Sequence, residues 1–389
     1  MTSKLLHTPD GVRDLYGNDL LLKSETMKKI EKVFSSYGFH DIETPTFEYF
    51  DIFSNEIGTT PSRDLYKFFD KEGDTLALRP DFTPGVARCA AKYYMDVNIP
   101  VRFRYKGNAF INSSLLQGKL CEGTQMGVEY IGDDSIYADA ELISLCTKAV
   151  LAAGISDFQV CIGSIEFIRA LCEEAGIKDD IKEALRECVS IKNFFGAREL
   201  LTGKVDDIYL EALLKLGDMG DNDEFLTSFK GMVKSERVIR ELDRLSNLYK
   251  LLCDMGVSKY VSFDLGMVSK LNYYTGIIFK VFTYGVGDAF VKGGRYDSLL
   301  SKFGKDSPAV GFMIALDDLV NALRYTGIKP VPEIETAVFC HENKYIEGIE
   351  IADDIRKKGR TAFIVSYNET NKNERLGFLK ESGVTIMEI

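Results

Sequence analysis

The residues best suited to do chemistry lie in short stretches of otherwise apolar chain. In EGTQMGVEYIG, residues 122–132, strand periodicity sends Gln125, Gly127 and Glu129 to one face and Met126, Val128 and Tyr130 to the other. Such a strand either wets one face or floors a pocket. In the pocket an amide and a carboxylate converge on a small polar ligand and Gly127 leaves it room. LALRPDFTPGVAR, 76–88, ends a strand at an Arg-Pro step and holds Asp81 and Thr83 in a tight connection. These residue types form turns and caps, and the same oxygens can receive an ammonium group. PAVGFMIALDDL, 308–319, carries two adjacent acids, Asp317 and Asp318. Neighbours on a helix diverge by about 100°, so they do not form a general acid/base dyad.

Other stretches read as structure. LNYYTGIIFKVF, 271–282, is apolar on both faces and predicts a central strand, with Tyr273 and Tyr274 in the core and their hydroxyls in need of partners. VKGGRYDSLL, 291–300, lacks the order of a phosphate-binding loop, so Gly293 and Gly294 predict a tight turn. The acidic run GDMGDNDE, 217–224, lacks calcium-loop spacing and reads as a solvated loop.

Composition narrows the chemistry. Three histidines, at 7, 40 and 341, are too few for a histidine-rich metal site, and eight scattered cysteines with no C-x-x-C pair suit reduced thiols of a cytoplasmic protein. A net charge of −11 disfavours long-range capture of nucleic acid, although a local basic groove remains compatible with it. No apolar run is long enough for a membrane span, and the N-terminal residues lack a signal-peptide layout.

Several elements must hold these residues. LLLKSETMKKIEKVFSSYGF predicts a helix with Met27, Ile30 and Phe34 on one face and Gly38 at its C-cap. Strand-like pieces follow at 75–79, 101–105 and 124–132. Residues 152–256 turn helical, and strands then resume. The expectation is an α+β fold, an antiparallel sheet with helices on one face, interrupted by a helical insertion. Its parts are 1–151 and 257–328 for the main domain, 152–256 for the insertion, and 329–389 for a small parallel α/β domain of strand, helix, strand, helix and strand.

Taken in order, these segments resemble the histidyl-tRNA synthetases. TPDGVRDLYG is similar to that family's N-terminal signature and GFHDIETPTFE to its motif 1, with Pro45 at the dimer-forming position. LALRPDFT resembles its amino-acid-binding loop, and FRYKGNAF with QGKLCEGTQMGVEYIG its motif 2. MVSKLNYYTGIIF resembles the histidine-specific box, and GGRYDSLL with PAVGFMIALDDL the approach to motif 3 and motif 3 itself. The resemblance implies a class II synthetase-like fold. It also implies a histidine-binding set in which Asp81, Thr83 and Gln125 hold the amino group while Glu129 with Tyr273 or Tyr274 reads the imidazole.

The departures fall on cations. Where the family places three arginines for ATP-dependent activation, this chain has Ile111 in motif 2, Ser269 in the histidine box and Asp318 in motif 3. One lost donor of this kind costs about 3–4 kcal/mol, and a carboxylate at such a position repels a polyphosphate. The tail is similar to the family's anticodon-binding domain but ends at VTIMEI, before its closing strands. A histidine pocket without these arginines resembles the ATP phosphoribosyltransferase regulatory subunits, a family related to the synthetases. That implies a non-catalytic, homodimeric subunit assembled with the short-form catalytic subunit, commonly as an octamer. It also implies histidine feedback at the first step of histidine biosynthesis and no metal, cofactor, nucleic acid or membrane of its own. The alternatives are an active histidine–tRNA ligase with arginines supplied from elsewhere, and a synthetase-derived binding protein.

Overall fold

The computed structural model describes residues 6–54, 60–97, 99–112, 120–218, 222–267, 273–330 and 335–389. The chain divides into two compact units, Met1–Lys329 and Pro330–Ile389. The first unit opens with helix α1 (Gly17–Ser36), which buries Leu22, Thr26, Ile30 and Phe34 at four-residue spacing. It stops where Gly38 takes φ +76°, the left-handed conformation of a C-terminal cap. Strands β1 (His40–Asp41), β2 (Phe47–Tyr49), β3 (Lys67–Phe69) and β4 (Thr75–Leu78), helix α2 (Thr83–Tyr93), and strands β5 (Val101–Phe110) and β6 (Glu122–Ile131) follow. Helix α3 (Ile136–Ala153) is capped by the Ser135 hydroxyl, which accepts from the Ala138 N–H.

Strand β7 (Phe158–Ser164) leads into a helical block: α4 (Ile165–Glu174), α5 (Asp179–Ser190), α6 (Phe194–Leu201), α7 (Asp207–Leu214), α8 (Asn222–Lys230) and α9 (Glu236–Asp254). The long α9 turns the stripe Val238, Leu242, Leu245, Leu248 and Leu252 inward. Strands β8 (Val261–Phe263), β9 (Ile277–Thr283), β10 (Val291–Arg295) and β11 (Ala309–Ala315) and helix α10 (Leu316–Tyr325) complete the unit.

Among the described residues, eight strands form one sheet in the order β1-β5-β6-β11-β10-β9-β7-β8. The inner pairings are antiparallel, while the edge strands β1 and β8 pair parallel to β5 and β7. The sheet is therefore mixed at its margins rather than wholly antiparallel. Nor are helices confined to one face. Apolar residues of α1, α3, α10 and the helical block cover one side, joined by Met126, Val128, Phe279 and Phe312 from the strands. On the other side α2 places Val86, Ala87 and Ala90 against Phe103, Tyr105, Ile278 and Tyr296. Strand β4 belongs to a separate small sheet, β2-β4-β3, in which β3 and β4 form a local antiparallel hairpin and β2 adds on the other edge.

The second unit contains β12 (Glu335–His341), α11 (Tyr345–Lys357), β13 (Thr361–Tyr367), α12 (Lys372–Glu381) and β14 (Thr385–Glu388). Its strands are all parallel, in the order β13-β12-β14. Alternate residues of β12 pack against opposite layers, Val338 with Ala352 and Ile355 of α11, and Ala337 and Phe339 with Leu379 of α12.

A buried charge knot ties α3, α9 and β10 together. Asp139, fully enclosed, accepts from Arg295 Nε at 2.9 Å and Nη2 at 2.6 Å, and from Arg244 on its other oxygen. Arg295 also donates to the Asp133 carbonyl at 3.0 Å and to Asp297 at 3.1 Å. Removing one partner strands a charge in a low dielectric, at a cost of about 3–5 kcal/mol. Arg295→Met should lower stability by about that much in urea unfolding of the whole chain. The double variant Arg295→Met/Asp139→Leu should recover part of the loss, and equal losses in both would contradict this assignment.

Candidate functional site

The site is built on β6 and its neighbours. The alternation expected of β6 holds: Met126, Val128 and Tyr130 enter the helix-covered core, while Gln125 and Glu129 line a cavity of about 180 Å³ on the opposite face. The other four residues singled out in the sequence line the same cavity, Asp81 and Thr83 from the start of α2 and Tyr273 and Tyr274 from the segment preceding β9. All six therefore converge. Ile111, just past β5, also lines this cavity. Asp318, half-buried in the first turn of α10, does not line it among the described residues. Ser269 lies outside the described residues.

Glu129 is the centre of the arrangement. Its carboxylate is enclosed and accepts from the Thr83 hydroxyl at 2.8 Å on one oxygen and from the Tyr296 hydroxyl on the other. Burial pushes its pKa from 4.5 to about 8, and the Asp81 charge adds to that rise. The hydroxyl bonds of Tyr296, Thr83 and Tyr105 oppose it without cancelling it. Burial likewise drives Tyr105, Tyr273, Tyr274 and Tyr296 above the ordinary tyrosine range, so the cavity wall is neutral phenol at physiological pH. Gln125 Oε1 is buried and accepts no hydrogen bond among the described residues. A buried carboxyl among neutral phenols, with an unengaged amide oxygen and Asp81 beside it, suits a small ligand that brings its own N–H donors or positive charge.

Glycines make this possible by absence of bulk. A Cβ on Gly311 of β11 would lie 1.8 Å from Glu129 Oε2, and one on Gly127 would lie 2.4 Å from the Tyr105 ring. Gly127 thus makes room for Tyr105, not directly for a ligand. Tyr105 stacks on Phe82 with ring centres 4.5 Å apart, and the Arg79 guanidinium lies 4.0 Å from the Phe82 ring. Arg79 itself spends its donors on the carbonyls of Asn108 and Thr44, both at 2.8 Å, which locks the loop entering α2.

Sequence reading missed Tyr296 and Tyr105. Tyr296 was hidden because GGRY reads as a turn, whereas Gly293 and Gly294 lie within β10 and carry Tyr296 out at its end. The alternation of VRFRY, continued to Phe110, would have found Tyr105.

Asp317 turns to the other face of the sheet. It accepts from Lys23 Nζ at 2.9 Å and the Thr124 N–H at 2.8 Å, with Arg13 at 3.5 Å, beside a cavity of about 510 Å³ under α1. The two adjacent acids therefore diverge, as helix geometry requires. Among the described residues no cluster of His, Cys, Asp and Glu is placed to hold a metal ion, and no helix is long and apolar enough to cross a membrane.

This fold and pocket define a class II synthetase-like protein of the histidyl-tRNA synthetase type, and the family model described as "Histidyl-tRNA synthetase" matches residues 11–319. A solved histidyl-tRNA synthetase from Nostoc sp. PCC 7120 shares the fold at TM-score 0.81 with 20% identity, over 97% of this chain and 90% of its own. A protein of Acetivibrio thermocellus named ATP phosphoribosyltransferase regulatory subunit is 39% identical over 91% of this chain and 85% of its own length. A Bacillus halodurans structure described as an ATP phosphoribosyltransferase regulatory subunit/histidyl-tRNA synthetase superposes with TM-score 0.89 at 29% identity, over 99% of both chains. The chain belongs to the family of ATP phosphoribosyltransferase regulatory subunits within that synthetase-like class.

The raised pKa has a measurable sign. Folded Glu129 keeps a proton that the unfolded chain loses above pH 4.5. Its contribution to stability is full below that pH and is lost as pH rises towards 8. Glu129→Gln, uncharged throughout, should gain thermal midpoint relative to wild type between pH 5 and 8. Parallel pH profiles for the two proteins would show that Glu129 titrates normally.

Proposed function

We propose that this chain is a non-catalytic regulatory subunit of ATP phosphoribosyltransferase. It assembles with the short catalytic subunit in a hetero-oligomer, commonly an octamer, and carries histidine feedback to the first step of histidine biosynthesis in the cytoplasm. The observation that carries this reading is a cavity where Glu129, Gln125, Thr83 and Asp81 meet four tyrosines while the wall beside them is Ile111. By resemblance, that position, with Ser269 and Asp318, belongs to the arginines that bind ATP in the synthetases.

Histidine fits the polar groups. Its imidazole N–H donates to Glu129, a tyrosine hydroxyl faces the other ring nitrogen, and its ammonium meets Gln125 Oε1, Asp81 and Thr83. The exposed aromatics Phe47, Tyr49 and Phe69 of the small sheet next to Pro45 support a homodimer formed through that surface. Feedback requires that histidine bind two arrangements of the assembly with different affinity. The subunit needs neither nucleic acid nor membrane for this role.

Calorimetry should show histidine binding to the isolated chain. Loss of a hydrogen bond to a charged group is worth about 1.5–3 kcal/mol, so Glu129→Ala should weaken binding roughly 10- to 100-fold. Unchanged affinity would reject the pocket. The short catalytic subunit should co-purify with this chain and gain activity that histidine suppresses. Histidine-dependent ATP–pyrophosphate exchange by the chain alone should be absent, and its presence would support the ligase alternative.

A further inference from the structure

A continuous row crosses the pocket face of the sheet, one row away from Glu129. Strand register sets Tyr105 opposite Gly127, Gly127 opposite Met313, Met313 opposite Lys292, Lys292 opposite Lys280, and Lys280 opposite Cys161. Alternation puts every member on one face, the face where Ile278 and Tyr274 pack. Met313 and Lys292 line the same cavity as Glu129, and Gly127 lies under the Tyr105 ring that closes it. The sheet therefore carries two lysines directly opposite each other, Lys292 at the margin of a small polar pocket and Lys280 one strand further out.

Like charges paired across strands destabilise a sheet, and both lysines are only half-exposed. Nearby charges compensate them incompletely. Lys192 pairs with Asp264 at 2.7 Å, and Lys292 with Asp288 at 3.1 Å. The latter is an exposed pair and easily exchanged. Lys280 donates to no acceptor among the described residues. Burial first, and then Lys292, holds its ammonium below the ordinary lysine range. Lys192, Lys280 and Lys292 share the two aspartates Asp264 and Asp288, so positive charge is in excess among these five groups, and Lys292 is the one that lines the cavity. An incoming anion would relieve the repulsion and give both ammonium groups a charge-assisted partner.

We infer that Lys292 and Lys280 form the anion subsite of this cavity and receive the carboxylate of the amino-acid ligand. This rests on the histidine reading above and adds to it the residues that hold the ligand's acidic end. Strand spacing of about 4.8 Å and a rise of about 3.3 Å per residue place Lys292, two strands and two residues away, on the order of 10 Å from Glu129. A four-carbon lysine stem and an extended amino acid together span that distance.

The test compares L-histidine with histamine, which keeps the imidazole and ammonium but lacks the carboxylate, by calorimetry on the whole chain. Wild type should prefer histidine by at least about tenfold. Lys292→Met, Lys280→Met and their double variant should lose that preference while keeping histamine affinity, which also certifies their fold. Lys292→Arg should retain it. A wild type that binds both ligands equally, or lysine variants that leave the preference intact or weaken both ligands alike, would overturn the lysine subsite and leave the histidine pocket standing. A wild type that binds neither ligand would overturn the histidine reading and this inference with it.

Discussion

A carboxyl group enclosed in the sheet is the constraint on which the rest of the structure depends. Glu129 can fold against β11 only because Gly311 opposite it has no side chain. Once enclosed, the group needs hydroxyl partners, and Thr83 and Tyr296 supply them. Thr83 stands at the first residue of α2 and Tyr296 just past the end of β10, so both element ends meet at this carboxyl. The surrounding phenols follow from the same requirement, since they fill space around a buried acid without adding charge. Burial thus produces both the shape of the cavity and its preference for a donor-rich guest.

Charge on the two faces of β6 is handled differently. On the α1 side Asp317 is neutralised by Lys23 and approached by Arg13, so the acid is tied into the framework. On the pocket side the carboxyl of Glu129 has no cationic partner at hydrogen-bond distance among the described residues, and the nearby lysines stand one row away. The Glu129 carboxyl itself is thus left open to a cationic or N–H-donating guest, with Lys292 at the cavity margin. Buried acids and hydroxyls around Glu129 suit a donor-rich guest there better than a polyphosphate. That difference is the physical content of the regulatory reading proposed above.

Much of the site was legible in the sequence because it rests on local periodicity. Gln125 and Glu129 share a face of one strand, and two-residue alternation is a strong signal there. Asp317 and Asp318 were separable on helix geometry alone. What escaped was the choice of sheet and the packing between elements. Nothing within TLALR says that its partners are FEY and KFF rather than the main sheet. Gly293 and Gly294 punctuate the sequence like a turn, yet they are strand residues kept small by Phe279, Phe312 and Tyr274 across from them. Tyr273 and Tyr274 read as members of a central strand, whereas β9 begins only at Ile277 and the two rings close the cavity from the preceding segment. The β3–β4 hairpin is local, whereas β2 and the rings packed on Gly293 and Gly294 come from further along the chain.

The protonation state of Glu129 decides how the cavity meets a ligand. Carbon-13 NMR of the labelled side-chain carboxyl, followed through a pH titration with and without L-histidine, reads it directly. The account predicts a midpoint near 8 in the free protein, falling towards the ordinary carboxylate range once histidine occupies the cavity. A midpoint already near 4.5 without ligand, and unmoved by histidine, would contradict it.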